Sequence, residues 1–300
     1  MRTLLSFLFG SVMLLVASSG TAASISVIDD AGMTVSMQQP ARRIVTLSPH
    51  AAELIHAAGA GDYLVGVSEF SDYPPAVKTR ASVGNSATLD IERILALKPD
   101  LIVAWTSGNS AKQLTRLRQM EFTVYQSEPR NFETIASSLE RLSRLTGTEQ
   151  VGKREALHFR QRWQELAARY QDRPPVRVFY QIWRAPLMTV NDQHLVSQAL
   201  HLCGGQNVFG HLAHLAPAVS MESVLQANPQ AIITTGEGEN DPLGAWRRLE
   251  QLDAVKHENL FLLNADYIHR PTPRVLIGVQ ALCEHLETAR GRLPASSRKN

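Results

Sequence analysis

The sequence lacks the short motifs that mark common hydrolase, dehydrogenase and nucleotide-binding sites. GxSxG, HExxH, GxGxxG and the phosphate-binding GxxxxGKS/T are all absent. The chain has no basic block and a formal net charge of only +2 at pH 7, which argues against a nucleic-acid partner. Beyond the N-terminus, no apolar run is long enough to cross a membrane. These absences favour a binding protein over an enzyme or a membrane-inserted protein.

Cysteine is scarce, with only Cys203 and Cys283 in the chain, both in its second half. In an oxidising compartment an isolated pair favours a single disulfide, which would close a loop of about 80 residues. Two buried free thiols are the alternative. Neither cysteine belongs to a CxxC pair, so we interpret the pair as structural and not as redox-active.

The N-terminus has the features of a secretory signal peptide. A basic start at Arg2 is followed by an apolar run from Thr3 to Val16 and by small residues ending at Ala23. The apolar run is short for a membrane span, although a retained N-terminal anchor is the alternative. We expect cleavage near Ala23 and a soluble mature protein of roughly 277 residues in a bacterial periplasm, long enough for two α/β lobes.

Two segments that lie 130 residues apart share one pattern. In both 89–103 and 219–233, a polar cap and a glutamate, Glu92 or Glu222, open a short amphipathic helix. The helix stops just before a proline, and an apolar run follows at once. A short helix ended by proline and followed by a buried strand is an α/β unit. Two copies predict two similar lobes, each with its own sheet.

The remainder of the chain continues the alternation of strands and helices that is typical of mostly parallel sheets. A hairpin is predicted at 24–37, and Asn109 is predicted to cap a helix. Further strands are predicted at 43–47, 64–67, 101–105, 123–125, 177–182 and 260–263. Further helices are predicted at 51–58, 132–145, 196–202, 244–252 and 273–290.

One long helix is predicted from Thr148 to Tyr170, because this charged segment contains no proline and only one glycine. At about 1.5 Å per residue it would reach from one lobe to the other. The fold class we expect is therefore α/β, with two similar lobes joined by a single long interlobe helix. The expected divisions are a signal peptide over 1–23, a first lobe over 24–147, a linking helix over 148–172, a second lobe over 173–293 and a disordered tail over 294–300.

Ligands of open α/β sheets lie beyond the carboxyl ends of the strands, and in this chain those loops are rich in aromatic and histidine residues. They carry His50, Phe70, Tyr73, Trp105, Trp183, His211, His214, Tyr267 and His269. Aromatic faces in a cleft suit a large, flat, partly apolar ligand, while core packing is the alternative for any one ring. An exported hydrolase that uses Ser48, His50 and Glu53 is an alternative hypothesis for the cleft.

The two glutamates of the repeated units have two interpretations. A carboxylate in the first turn of a helix is favoured by the helix dipole, which alone explains Glu92 and Glu222. Their equal positions in the two lobes favour a second role, in which each carboxylate docks against a basic pocket of a dimeric partner.

Several segments resemble the periplasmic substrate-binding proteins of ABC importers for vitamin B12, haem and ferric siderophores, and the vitamin B12-binding branch most of all. The matching segments are Arg43 to Pro49, Val65 to Ser68, Ser71 to Pro75, Leu89 to Trp105, Leu202 to Phe209, Val219 to Glu222 and Asp266 to Arg274. The Ser-Asp-Tyr-Pro-Pro and Cys-Gly-Gly runs are the more specific ones. The resemblance covers nearly all of the mature chain.

The resemblance implies a monomeric, non-enzymatic protein that carries cobalamin as a transported ligand, uses no cofactor and does not insert into the membrane. It implies ligand contacts at Tyr73, Trp105, Asp266, His269 and Arg270, to which we add His50 and Trp183. It implies that Glu92 and Glu222 dock onto arginines of a permease dimer that works with ATPase subunits. It also implies that Cys203 and Cys283 form the disulfide of that branch.

This chain departs from the vitamin B12-binding branch around the expected pocket. Tryptophans expected between Val83 and Leu89 and before Val219 are missing, His269 replaces an acidic residue, and Trp183 is an addition. The aromatic lining is therefore redistributed. A haem or ferric siderophore is the alternative ligand, and no metal ligand is expected unless Tyr73 and His269 bind a haem iron.

Overall fold

The computed structural model describes residues 24–236 and 241–294. The signal peptide expected over 1–23 and the tail residues 295–300 lie outside the described residues. Within the described ranges, no helix is both long enough and apolar enough to cross a membrane.

The first lobe is built on a five-stranded parallel sheet. Its strands are β3 (Ile44–Thr46), β4 (Leu64–Val67), β5 (Ala81–Ser82), β6 (Leu101–Trp105) and β7 (Val124–Ser127), in the order β5-β4-β3-β6-β7. An antiparallel hairpin, β1 (Ile25–Ile28) and β2 (Thr34–Met37), precedes it as predicted. The helices are α1 (Pro49–Ile55), α2 (Ile91–Leu97), α3 (Ala111–Gln119) and α4 (Phe132–Thr146), with a π-helical turn at His56–Ala60 and 3₁₀ turns at Gly61–Tyr63 and Pro75–Thr79.

The cap predicted at Asn109 is wrong, because α3 begins one residue later, with Ser110 as its N-cap. The Asn109 side chain is buried instead. Its Oδ1 accepts the backbone N–H of Trp105 at 2.7 Å, and its Nδ2 donates to the carbonyl of Leu47 at 3.2 Å. Asn109 therefore stabilises the loop that follows β6 and not the helix.

A single 22-residue helix, α5 (Glu149–Tyr170), connects the lobes and is about 33 Å long. Near its start, Gly152 packs so closely on Ser143 of α4 that a Cβ would overlap that side chain. Further along, Trp163 stacks on Phe132 with ring centroids 5.5 Å apart. At its end, Tyr170 is buried beside Gly204 of the second lobe. The predicted interlobe helix is thereby confirmed.

The second lobe is built on a four-stranded parallel sheet in the order β11-β10-β8-β9. Its strands are β8 (Val176–Gln181), β9 (Gly205–Asn207), β10 (Ala231–Thr235) and β11 (Leu260–Leu263). Its helices are α6 (Leu195–Leu202), α7 (Met221–Ala227), α8 (Gly244–Arg247), α9 (Asp253–Lys256), α10 (Ala265–Ile268) and α11 (Val275–Arg292).

The single helix predicted at 244–252 is wrong, because the chain forms the short helices α8 and α9 with a turn between them. The N–H of Asp253 donates to Asn228 Oδ1 at 2.9 Å, and the N–H of Ala254 donates to the carbonyl of Pro229. These tertiary hydrogen bonds replace the partners that a continuous helix would have supplied.

The repeated units have matching structures in the two lobes. Helix α2 and strand β6 in the first lobe correspond to α7 and β10 in the second, each shifted by 130 residues. Both helices end in a left-handed residue, Lys98 or Asn228. An arginine at the start of each lobe, Arg43 or Arg177, donates to the last carbonyls of its helix. The prediction of two similar α/β lobes is confirmed.

Buried side chains connect the two lobes as well as filling them. One apolar cluster runs from Ile44 and Leu139 of the first lobe through Phe159 of α5 to Val178 and Leu286 of the second. A disulfide between Cys203, at the end of α6, and Cys283, in α11, joins two fully buried positions. It confirms the predicted cross-link.

Candidate ligand-binding site

A cleft of about 320 Å³ lies between the lobes. Because the strands of each sheet are parallel, their carboxyl ends lie along one edge, and the loops that follow them form the walls. The first lobe contributes Pro49, His50, Trp105, Glu128, Pro129 and Arg130, and the second contributes Gln193, His194, Leu195, Leu215, Ile268, His269, Arg270 and Pro271. Four of the seven expected ligand-contacting residues, His50, Trp105, His269 and Arg270, therefore line one cavity.

His50 is held in the first turn of α1, directly after β3. It is only 5% exposed, and its buried Nε2 has no hydrogen-bond partner among the described residues. Burial, with a smaller contribution from the charge of Arg270, lowers the pKa of His50 to about 4. The imidazole is therefore neutral near pH 7, and its buried Nε2 keeps an unused hydrogen-bonding capacity at the wall of the cleft.

Trp105, the last residue of β6, faces His50 edge-on with ring centroids 5.8 Å apart. The loop after it contains Gly108, where a Cβ would overlap the Trp105 ring. Gly108 thus permits the indole to lie against its own loop while it lines the cleft. The Asn109 hydrogen bond to the Trp105 backbone holds the same loop.

Two further histidines, His194 and His269, line the second-lobe wall. His194 caps α6 and its Nδ1 accepts the N–H of Val196 at 3.1 Å, so in the neutral form its proton is on Nε2. His269 Nε2 lies 2.7 Å from the hydroxyl of Tyr180. Burial lowers the pKa of both histidines to about 4, with a smaller effect of His269 on His194. The wall offers neutral hydrogen-bonding groups.

Trp183 does not line this cleft but an adjoining cavity of about 450 Å³ that shares His269 with it. Its indole is 62% exposed, and its Nε1 donates to the carbonyl of Ala185 at 3.0 Å. The ring therefore presents an apolar face to solvent beside the cleft while its polar atom is satisfied locally.

Tyr73 and Asp266 lie at the edge of the cleft and not among its lining residues. The Tyr73 ring is 41% exposed and is covered on one face by the guanidinium of Arg274, 3.7 Å from the ring centroid. Asp266 pairs with Arg270 at 2.6 Å. Of the two haem-iron ligands considered from the sequence, His269 lines the cleft and Tyr73 is not among its lining residues.

Glu53, which the sequence suggested only as a possible hydrolase residue, is instead the centre of an ion-pair network between the lobes. It is 3% exposed and contacts Arg270 and Arg274. The Ser48 hydroxyl caps α1 by accepting the N–H of Ala51. In the described parts of the chain, no hydrogen bond joins Ser48, His50 and Glu53 into a catalytic triad. No group of three or more His, Cys, Asp or Glu side chains there is placed to hold a metal ion.

Glu92 and Glu222 are exposed and occupy the first turns of α2 and α7. Each helix leads into the next parallel strand, so its first turn lies at the carboxyl-end edge of the sheet, where the cleft opens. A backbone hydrogen bond and the hydroxyl of Ser220 lower the pKa of Glu222. The two lobes therefore carry matching carboxylates on either side of the cleft.

Two α/β lobes, one long connecting helix and a cleft between the lobes lined by Trp105 and three histidines define a ligand-binding protein of the two-lobe type. The model of the family described as periplasmic binding protein matches residues 44–267. The vitamin B12-binding protein of Vibrio cholerae is 43% identical over 252 residues, which are 83% of this chain and 91% of that protein.

Comparison with solved structures indicates the same family. The crystal structure of the periplasmic vitamin B12-binding protein BtuF of Vibrio cholerae superposes with a TM-score of 0.77 at 42% identity, over 84% of this chain and 98% of that chain. The periplasmic haem-binding protein RhuT of Roseiflexus sp. RS-1 superposes with a TM-score of 0.73 at 22% identity, over 83% and 99%, which shows a shared fold. The chain belongs to the periplasmic binding protein family, as its sequence predicted. Proteins of this family bind small ligands and serve ABC importers.

Proposed function

We propose that this protein captures cobalamin in the interlobe cleft and delivers it to an ABC importer. The observation that carries the proposal is the cleft itself, where Trp105, His50 and prolines from one lobe face histidines from the other. Flat apolar surfaces suit the corrin ring, and neutral imidazoles suit its rim of amide groups. Support comes from relatives named for vitamin B12 binding at 43% identity.

The same proposal includes the protein's route and organisation. The signal peptide is cleaved near Ala23, and the mature protein acts in the periplasm as a monomer without enzymatic activity. Its parts are a first lobe over 24–147, a linking helix over 148–172 and a second lobe over 173–293.

Titration of the purified mature protein with cyanocobalamin and, separately, with haemin tests the ligand. We expect one-to-one binding of cyanocobalamin by calorimetry and no sharp Soret band with haemin. Trp105→Ala should weaken cobalamin binding by about tenfold or more, because a stacked aromatic contact contributes about 1–3 kcal/mol. Trp163→Ala is the matched control, since Trp163 is a half-buried tryptophan on α5 that packs on Phe132.

Haemin binding without cobalamin binding would make the protein a haem carrier and would overturn the proposal. In that case Tyr73→Ala and His269→Ala would be compared for loss of the Soret band. Binding of neither ligand would also overturn it and would direct the search to siderophores.

We also propose that Glu92 and Glu222 dock onto basic pockets of a permease dimer that works with ATPase subunits. Their exposure, their equal positions in the two lobes and their place beside the cleft support this role. Changing both to alanine should abolish cobalamin uptake by cells while the affinity of the purified protein stays the same. The control is Glu149→Ala with Glu165→Ala, two exposed glutamates of α5. Normal uptake in the Glu92 and Glu222 double variant would exclude docking through these carboxylates.

A further inference from the structure

The loop 269–274 of the second lobe reaches across the interface to Glu53 of α1 in the first lobe. Both oxygens of the Glu53 carboxylate accept two hydrogen bonds each. Oε1 accepts from Arg270 Nη1 at 3.0 Å and from Arg274 Nη2 at 2.6 Å. Oε2 accepts from Arg274 Nε at 2.9 Å and from Thr272 Oγ1 at 2.9 Å. All four donors come from the opposite lobe.

The two arginines that Glu53 binds also contact the edge of the ligand cleft. Arg270 lines the cleft, and its two terminal nitrogens pair with Asp72 and Asp266, each at 2.6 Å. Arg274 covers one face of the Tyr73 ring. One buried carboxylate therefore orients a cleft-lining guanidinium directly and an aromatic ring of the first lobe through a second guanidinium.

Among the carboxylates of this network, Glu53 is the most buried, so it is the least able to exchange its partners for water. Its side chain is 2% exposed, whereas those of Asp72 and Asp266 are 45% and 38% exposed and are solvated. A buried carboxylate that lost its partners would carry an uncompensated charge in an apolar interior, which is strongly unfavourable. Separation of the lobes removes all four donors at once, so the network opposes widening of the cleft.

We propose that Glu53 is a positioning residue of the ligand site. Its carboxylate holds Arg270 and Arg274 of the opposite lobe. It thereby fixes the positions of Arg270 and Tyr73 and the width of the cleft. It does not touch the ligand itself. The inference rests on the proposed function only in that Arg270 and Tyr73 are taken as ligand contacts. The ligand belongs to the class already proposed, a large ring with amide side chains.

The test compares Glu53→Gln with Glu287→Gln. Glu287 forms a partly buried ion pair with Arg290 at 2.7 Å, but within the second lobe, and neither residue lines the cleft. Both variants should lower the free energy of unfolding. Only Glu53→Gln should weaken cyanocobalamin binding, by about tenfold, which is the lower end of the effect known for groups that orient metal ligands.

A second measurement records the lobe separation in the ligand-free protein. Spin labels are attached to cysteines introduced at the exposed positions Lys112 of α3 and Gln226 of α7, because both native cysteines are in the disulfide. We expect a narrow distance distribution in the wild type and in Glu287→Gln, and a broader or shifted one in Glu53→Gln. The distance measurement tests the positioning role of Glu53 even if the wild type does not bind cyanocobalamin. Failure of the proposed function is therefore distinguishable from failure of this inference.

Thr272→Val is a milder variant for the case in which Glu53→Gln does not fold. It removes one hydrogen bond from Glu53 and keeps both ion pairs. It should shift the affinity and the distance distribution in the same direction by a smaller amount. Variants that lose only stability, with wild-type affinity and wild-type lobe distances, would overturn the proposal.

Discussion

Replacement of His50 by glutamine should reduce the loss of folding stability that we expect on the acid side of neutrality. His50 is buried and neutral in the folded protein, with its pKa lowered from 6.5 to about 4. In the unfolded chain the same side chain takes up a proton below about pH 6.5. Because the unfolded state then binds more protons than the folded state, stability falls as the pH drops from about 6.5 towards 4.

The expected size of this effect follows from the two pKa values. For one group with pKa values of 6.5 unfolded and about 4 folded, linkage gives a loss of about 2 kcal/mol between pH 7.5 and pH 5. The full loss, reached below pH 4, is about 3 kcal/mol. Because His50 is buried, solvent screening reduces this free-energy difference little. His194 and His269 have the same sign of shift, but they are present in both proteins and cancel in the comparison.

Urea unfolding followed by circular dichroism, at a series of pH values from about 7.5 to about 5, measures the difference. The wild type should lose about 2 kcal/mol more than His50→Gln over that range. His158→Gln, which changes an exposed histidine of α5, should follow the wild type. Equal acid sensitivity in the wild type and His50→Gln would refute the argument that His50 is held neutral by burial.

Two further predictions concern the disulfide and the loop after β6. Changing Cys203 and Cys283 to alanine should lower the free energy of unfolding by about 4 kcal/mol, because a closed segment with a sequence separation of 80 becomes open in the unfolded chain. Addition of reductant should lower the thermal midpoint of the wild type towards that of the variant, and a wild type stable to full reduction would contradict this. Gly108→Ala should weaken cobalamin binding about tenfold while changing stability little, since the new methyl displaces the Trp105 ring from the cleft. Unchanged affinity by calorimetry would show that the ring position is not needed.

Local signals in the sequence were sufficient for the repeated units and for part of the site. Helices that stop before proline and lead into apolar runs depend on neighbouring residues, so α2 and α7 were predictable. Trp105 ends β6, and His50 lies in the first turn of the helix that follows β3; parallel topology alone places such residues at one edge of a sheet.

The interlobe network was not predictable in the same way. Glu53 and Arg274 are separated by 221 positions, and nothing near Glu53 in the sequence indicates that its partners lie in the second lobe. The break between α8 and α9 has the same origin, because it depends on hydrogen bonds to Asn228 and Pro229. In the sequence, Glu53 lies three residues after His50 in one helix, and this spacing is as compatible with a catalytic pair as with an ion pair.

The apolar cluster that continues through α5 into both lobes has a consequence for how a loaded molecule is recognised. Since the cleft takes its shape when the chain folds, binding requires little conformational work, and more of the contact free energy remains as affinity. Under the proposed function, a protein with this continuous core would present nearly the same outline to its importer when empty and when loaded. The importer would then distinguish the loaded from the empty protein by the ligand surface that is exposed at the mouth of the cleft.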